Sequence, residues 1–258
     1  MFLRTKLIAG SAVAMIGLIL TIAGFIAIGS RHQKQAVTGH AAGTPAMTPA
    51  QTSAPSGSED VRHDLQLLSD MPSVYPSQVS SYHPFAKSVL SQPDLFARGF
   101  ATRLLTQNYA DDRQELLAWV QAVSAQTAEP LVVGLVPANL RSKLAVYSVS
   151  ESADGSVLPV PSASEWASLR AKRAYTTVQV QKVVEPVQWS EAVAGNELTD
   201  PGITEREVDA LVITHWRQGK RSASSSKSVA LTINLEGPPA RGTFGFVTAV
   251  LYSEVADR

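Results

Sequence analysis

Cysteine is absent from the 258 residues of this chain, which excludes disulfide bonds, thiolate nucleophiles and cysteine ligands to metals. A surplus of either charge is also absent, because 22 basic residues balance 22 acidic residues. From Gln92 onward there are 16 basic and 18 acidic residues, so the basic excess that is typical of nucleic-acid-binding domains is missing. We therefore expect no direct nucleic-acid binding and no cysteine-based site.

Motifs for catalysis and for cofactor binding are missing as well. No G-x-S-x-G, P-loop or G-x-G-x-x-G pattern occurs in the sequence. Four of the five histidines, His32, His40, His63 and His83, are scattered over the first third of the chain, whereas a zinc site needs three or four ligands at defined spacing. The sequence thus predicts no catalytic residue, no cofactor and no metal.

One long apolar run stands near the start of the chain, from Leu7 to Ile28, and it contains no charged residue. A helix of about 20 apolar residues spans the hydrocarbon core of a bilayer. The run is longer than the apolar region of a cleaved signal peptide, which has about 7–15 residues. We therefore predict a retained transmembrane helix over residues 7–29, with cleavage after Ser30 as the alternative.

Basic residues flank this run on both sides, with Arg4 and Lys6 before it and Arg31 and Lys34 after it, so the positive-inside rule alone does not orient it. Because only a few residues precede the run, we place residues 1–6 in the cytoplasm. The rest of the chain is then extracytoplasmic, on a protein that crosses the cell membrane once. Small residues of the span are candidate contacts with a second membrane helix, or ordinary lipid-facing residues: Gly10, Ala14 and Gly17.

Residues 30–90 are predicted to be a tether. Its first half is rich in Pro, Gly, Ser, Thr and Ala and lacks aromatic residues, so it cannot bury enough apolar surface to fold and is expected to be disordered. Further on, Val61, Leu65, Leu68 and Met71 are spaced as one side of a short helix. This second half is either an arm that packs on the following domain or a linear motif for a partner.

Residues 91–258 are predicted to form one extracytoplasmic domain of the α+β class. Two amphipathic helices come first, one opened by Ser91 with Pro93 in its first turn, and the other starting near Asp111. Gly99 lies within the apolar stripe of the first helix. Since glycine in a helix costs about 1 kcal/mol relative to alanine, we expect it to allow the close approach of another backbone.

Strands dominate the rest of the predicted domain. We expect a strand over Leu144–Val149, a hairpin turn at Asp154–Gly155, and a short helix from Ser162 to Arg173 with a capping box of Ser162 and Glu165. Four longer strands follow, with a polar loop at Gln218–Lys227 and a bulge at Gly245: residues 175–189, 206–219, 228–237 and 243–255. Pro186 either ends the first of these strands or places it on a sheet edge. The helices should pack on one face of a curved, mostly antiparallel sheet.

Two groups of residues are candidate sites in this domain. Arg170, Lys172 and Arg173 form a basic cluster at a helix end, where they complement the helix dipole and are candidates for contact with a partner. His215 lies on a predicted strand in phase with Leu211, and we interpret it as a core or rim histidine rather than a catalytic base.

The segment FARGFATRLLTQNYADDRQELLAWV, which begins at Phe96, resembles the start of the soluble domain in TcpC-like conjugation proteins of Gram-positive bacteria. The order of elements is similar to the cystatin-like cone of the nuclear transport factor two-like superfamily. Members of the conjugation family often carry two such folds in tandem, whereas this chain has room for one. The residues that carry the resemblance are two aromatic–alanine pairs and three later positions: Phe96–Ala97, Phe100–Ala101, Arg113, Leu117 and Trp119.

The resemblance implies a non-catalytic, membrane-anchored scaffold subunit of a conjugative, type IV secretion-like channel. Such a subunit acts by self-association and by binding other channel subunits. An accessory membrane protein of an Mce-type lipid transporter is the alternative, because a similar anchor-plus-cone layout is found there. A cone-fold enzyme of the isomerase or dehydratase kind is the third hypothesis, with His215 and Tyr175 as its candidate residues. A large apolar cavity with a buried acid would favour the enzyme, and a filled cone would favour the scaffold.

Overall fold

The structure, a computed structural model, describes residues 57–72, 85–125, 138–152, 156–195 and 202–255. The chain divides into two units, and every element from Lys87 onward belongs to the unit from Asp64 to Arg258. Within the described ranges no helix is both long and apolar enough to cross a membrane. The predicted membrane helix, with Gly10, Ala14 and Gly17, and the predicted tether up to residue 56 lie outside those ranges.

Helices come first along the described chain, and strands come mainly after them. The helices are α1 (Gly57–Asp70), α2 (Lys87–Leu90), α3 (Pro93–Leu105), α4 (Arg113–Ala122), α5 (Ala138–Ser150), α6 (Ala163–Ala171) and α7 (Val187–Ala194). The strands are β1 (Tyr175–Val184), β2 (Ile203–Gln218), β3 (Arg221–Glu236) and β4 (Phe246–Val255), with α7 between β1 and β2. The α+β class predicted from the sequence is confirmed.

The strands form one antiparallel sheet in the order β1-β2-β3-β4. Strands β2 and β3 make a long hairpin, in which pairing runs from Ile203 with Glu236 to Gln218 with Arg221. A two-residue turn, Gly219–Lys220, joins them, and Gly219 has a φ of +64°. Glycine adopts this left-handed conformation without steric cost, which is why it suits such a tight hairpin turn.

One face of the sheet carries the hydrophobic core. Buried residues alternate along the strands, as in Val208, Ala210 and Val212 of β2, because side chains two residues apart share a face. The helices that make substantial contact with strands are α3 and α5. They add buried side chains to the same cluster: Phe96, Phe100, Leu104, Val146 and Val149.

The segment before α3 packs on this domain, as the arm interpretation expects. Leu68 and Met71 are buried at the end of α1. The Lys143 ammonium of α5 donates to the carbonyl oxygens of Ser69 at 3.0 Å and Met71 at 2.6 Å. A cation at the C-terminal end of a helix satisfies free carbonyls and complements the helix dipole.

Helix starts differ in how well the sequence predicted them. The capping box of Ser162 and Glu165 is confirmed at α6. Asp112 rather than Asp111 caps α4, since its side chain accepts from the Gln114 amide. No side-chain cap exists at α3, whose N-cap is Gln92.

Three local predictions were wrong. Leu144–Val149 lies in helix α5 rather than in a strand. The expected loop at 218–227 is mostly strand, because β2 and β3 continue to their two-residue turn. The bulge in β4 is at Thr248 rather than Gly245, since Asn234 pairs with Ala249 and Leu235 with Val247.

Candidate functional site

The predicted basic cluster lies beside the turn of the β2–β3 hairpin. The Arg217 amide donates to the Lys172 carbonyl at 2.9 Å, which brings Lys172 and Arg173 next to Arg217, Lys220 and Arg221. All five side chains are exposed, and among the described residues none of the five forms an ion pair. We call these five residues the basic tip. Sequence reasoning assigned Lys220 and Arg221 to a loop, and it could not indicate that the strand residue Arg217 lies beside Lys172.

Arg170, the third residue of the predicted cluster, points elsewhere. Its Nε donates to the Tyr109 carbonyl at 2.9 Å and its Nη2 to the Asp111 carbonyl at 2.6 Å. The Trp166 indole N–H also donates to the Asp111 carbonyl, at 3.2 Å. Arg170 thus fixes the loop between α3 and α4 against α6.

The β2–β3 hairpin extends beyond its neighbour β4. The last residue of β4, Val255, pairs with Ser228, so residues 221–227 of β3 continue past the end of β4. At about 3.3 Å per residue this extension is about 20 Å long. Its sequence is RSASSSK, and between Asp209 and Glu236 the chain contains no acidic residue.

Other parts of the sheet edges are occupied. On β1, the Thr176 amide donates to Gln107 at 2.8 Å and the Val180 carbonyl accepts from Arg98 at 3.4 Å. A bulge at Gln181 then interrupts the register of β1, and bulges of this kind discourage strand pairing at an edge. On β4, the Val247 amide donates to the Val123 carbonyl at 2.8 Å.

The two candidate residues of the enzyme hypothesis are brought together. Tyr175 and His215 are directly opposite on β1 and β2, and their rings stack with centroids 4.7 Å apart and planes 19° apart. The Thr177 hydroxyl lies 3.1 Å from His215 Nε2. The pair occupies the sheet face opposite the core, where Tyr175 is 46% exposed, rather than the core side of the sheet.

An open groove of about 690 Å³ lies where α6, the chain before it and the ends of β3 and β4 meet. Serine hydroxyls and a few apolar side chains line it, together with an ion pair of Lys227 and Glu254. Burial lowers the pKa of Lys227, but the hydrogen bonds to Glu254 and Tyr252 outweigh that effect and leave the pKa raised. The ammonium is therefore charged at neutral pH.

On the sheet face opposite the core, the charge of one glutamate affects the pKa of another. Glu205 and Glu207 are alternate residues of β2. Burial, together with repulsion by the Glu207 carboxylate, raises the pKa of Glu205 to about 7. Within the parts of the chain that the structure describes, no group of three or more His, Cys, Asp or Glu is arranged to hold a metal ion.

Comparisons with protein-family models, with curated proteins and with solved structures found no match to this chain.

Proposed function

We propose that this chain is a non-catalytic, membrane-anchored scaffold subunit of a conjugative, type IV secretion-like transfer channel. It would act by self-association and by binding other channel subunits. Residues 7–29 would anchor it in the cell membrane by a single span, with the α+β domain outside the cytoplasm. The proposal rests on the apolar run in the sequence, on the resemblance of residues 92–125 and on the build of the domain.

Close packing of the described core between the sheet and the helices is the observation that carries this proposal. Phe96, Phe100, Leu117, Leu231 and Ile233 are each at most 1% exposed, and they occupy the space between sheet and helices. Such close packing makes a rigid domain. An enzyme of the cone type would instead call for a cavity in this interior with a few convergent polar groups.

The arrangement of layers supports the finer assignment to a cystatin-like cone. Both helices in substantial contact with strands, α3 and α5, add side chains to a single core on one face of the four-stranded sheet. The opposite face carries Leu211, Ile213 and Leu251, which are half-buried among neighbouring strands. A partly apolar sheet face of this kind suits contact with a second copy of the chain or with another subunit.

Co-purification tests the assignment to a transport system. The full-length protein, tagged at Arg258, is extracted in mild detergent, and the proteins that accompany it are identified by mass spectrometry. We expect transfer ATPases and other channel subunits. Recovery of lipid-transport proteins would replace the assignment with the Mce-type alternative. Recovery of a monomer with a bound small molecule would contradict a scaffold and favour an enzyme.

Crosslinking tests self-association through the sheet face opposite the core. Because the chain lacks cysteine, a single introduced cysteine reports on its own position. Ser253 is exposed on that face of β4, and Ser88 is exposed on α2. We expect Ser253→Cys to give a disulfide-linked dimer in membranes, and Ser88→Cys to remain monomeric. Equal crosslinking at both positions would show no preference for this face.

A further inference from the structure

The open edge of β3 beyond the end of β4 has a defined hydrogen-bonding direction. Along a strand, successive residues direct their N–H and C=O groups to alternate sides. The Arg217 amide points away from β3, since it bonds Lys172. The main-chain N–H and C=O groups of Gln218 therefore point toward β3, and those of its partner Arg221 point toward β2.

The same alternation assigns the rest of the extension. The main-chain groups of Ala223 and Ser225 point toward β2. Those of Ser222, Ser224 and Ser226 point to the β4 side of the strand, beyond Val255, the last strand residue of β4. In the described part of the chain no backbone hydrogen bond reaches this edge from another element. Among the described residues, the three N–H donors and three C=O acceptors of this row, which is about 14 Å long, therefore have no backbone partner on that side.

Side chains along this edge leave room for another strand. Residues 222–226 are serine or alanine, and the serines among them are exposed. The basic tip stands at one end of the row, and the groove with Lys227 begins at the other. Among the described residues beside this edge, Glu254 is paired with Lys227.

We propose that this edge binds an extended, acidic segment of a partner protein by strand addition. The partner segment would continue the sheet in the place where β4 stops, and would exchange main-chain hydrogen bonds with Ser222, Ser224 and Ser226. Its carboxylates would lie close to the basic tip. The inference goes beyond the proposed function, because it names a binding surface and the chemistry of its partner, whichever transport system this chain serves.

The alternation of donors and acceptors favours a polypeptide over other anions. The phosphates of nucleic acid or lipid only accept hydrogen bonds, and would leave the three carbonyls of this edge hydrogen-bonded to water alone. A strand offers both kinds of group at the same two-residue spacing. A two-stranded ribbon is also marginally stable in water, and a third strand strengthens it.

The binding test uses the full-length protein in detergent and a fluorescent seven-residue peptide of alternating glutamate and valine, followed by anisotropy. Ser224→Pro removes an outward N–H without removing a hydrogen bond to β2, and Ser224→Ala is its matched control. We expect the proline variant to bind at least about tenfold more weakly, since it loses one hydrogen bond and a bulky ring enters the edge. The alanine variant should stay within about twofold of the unsubstituted protein.

Charge is tested separately from main-chain pairing. Lys220→Gln with Arg221→Gln removes two cations of the basic tip, and Lys87→Gln with Lys182→Gln removes two exposed cations elsewhere. The first pair should weaken peptide binding about tenfold and the second pair should not, because exposed charges act mainly within about 8–10 Å at physiological salt. A lysine–valine peptide should not bind.

A peptide N-methylated at alternate residues provides a result that does not depend on any variant's folding. If it binds the unsubstituted protein as tightly as the parent peptide does, strand addition is overturned. Equal binding by the proline and alanine variants, both folded by circular dichroism, overturns it as well. Binding of an oligo(dT) strand or of phosphatidylglycerol vesicles without binding of the acidic peptide would reassign the basic tip to those ligands.

Discussion

The ring of Phe85 lies directly against Gly99 of α3. A β-carbon placed on Gly99 would come within 2.8 Å of Phe85 Cε1. Phe85 also packs edge-on against Phe96, with ring centroids 5.2 Å apart. The close approach predicted at Gly99 therefore involves an aromatic side chain from the segment before α3, and not another backbone.

The effect of Gly99→Ala on the free energy of unfolding is expected to change sign according to whether Phe85 is present. In the unsubstituted protein the new methyl group must displace the Phe85 ring, so we expect the free energy of unfolding to fall by about 1–2 kcal/mol. In a Phe85→Ala background the same change should stabilise by about 1 kcal/mol, because alanine is the better helix former. Urea unfolding of the four proteins in this double-mutant cycle measures both effects. A loss of equal size in both backgrounds would contradict the contact.

Glu205 should make stability depend on pH. Its pKa is raised to about 7 in the folded protein from an ordinary value of 4.5, so the folded state holds the proton more tightly than the unfolded state. The resulting stabilisation is fully present below about pH 4.5 and is lost as the pH rises through 7. Glu205→Gln, which is always neutral, should raise the melting temperature at pH 8 by a few degrees and leave it nearly unchanged at pH 4.5.

Glu191 provides the matched control for that titration. It is exposed on α7, and Glu191→Gln should alter the melting temperature by a similar, small amount at both pH values. Calorimetry at pH 4.5 and pH 8 separates the two variants. Equal pH dependence in Glu205→Gln and in the unsubstituted protein would place the titrating group elsewhere.

Substitutions of Arg170 and of Arg173 should change the free energy of unfolding in opposite directions. Arg170→Gln removes donors to two loop carbonyls, and we expect a loss of about 1–3 kcal/mol. Arg173 has a φ of +52°, a conformation that costs a side-chain-bearing residue about 1 kcal/mol relative to glycine. Arg173→Gly should therefore stabilise by up to about 1 kcal/mol in urea unfolding. A destabilising Arg173→Gly would show that its side chain contributes more than its backbone costs.

Removing the Ser162 hydroxyl from the capping box of α6 should change both the stability of the domain and the pKa of Glu165. The hydrogen bonds of the Ser162 hydroxyl and amide lower the pKa of Glu165. Ser162→Ala should destabilise by about 1 kcal/mol, and should let the Glu165 pKa rise toward its ordinary value in an NMR titration. Ser168→Ala, an exposed position of the same helix, is the control and should leave that pKa unchanged.

The strands were predictable where one face is buried and the other is not. Along β2, Val208, Ala210 and Val212 are buried and the residues between them are half-buried, so the period of two is visible in the sequence. The hairpin extension was missed because residues 222–226 have no apolar member larger than alanine. A strand without a buried face leaves little hydrophobic pattern to detect.

Helix α5 was missed because a lysine interrupts its apolar stripe. Leu140, Val146 and Val149 are buried at helical spacing, but Lys143 stands between them in the same stripe. Its partners, the carbonyls of Ser69 and Met71, lie 74 and 72 residues earlier in the chain. Local sequence could not indicate that a buried ammonium would find acceptors there. The basic tip was hidden for the same reason, since only the fold brings Lys172 beside Arg217.

The pairing of β2 with β3 also bears on how the domain assembles. Every pair in that hairpin is nested around Gly219–Lys220, so each step of zipping closes only a short loop beyond the preceding pair. Contacts between α3 and β1 or β2 join residues much farther apart in sequence, and such contacts form more slowly. We therefore expect this ribbon to be an early folding nucleus on which β1, β4 and the helices later condense, with φ-values highest near its turn-proximal, core-facing residues.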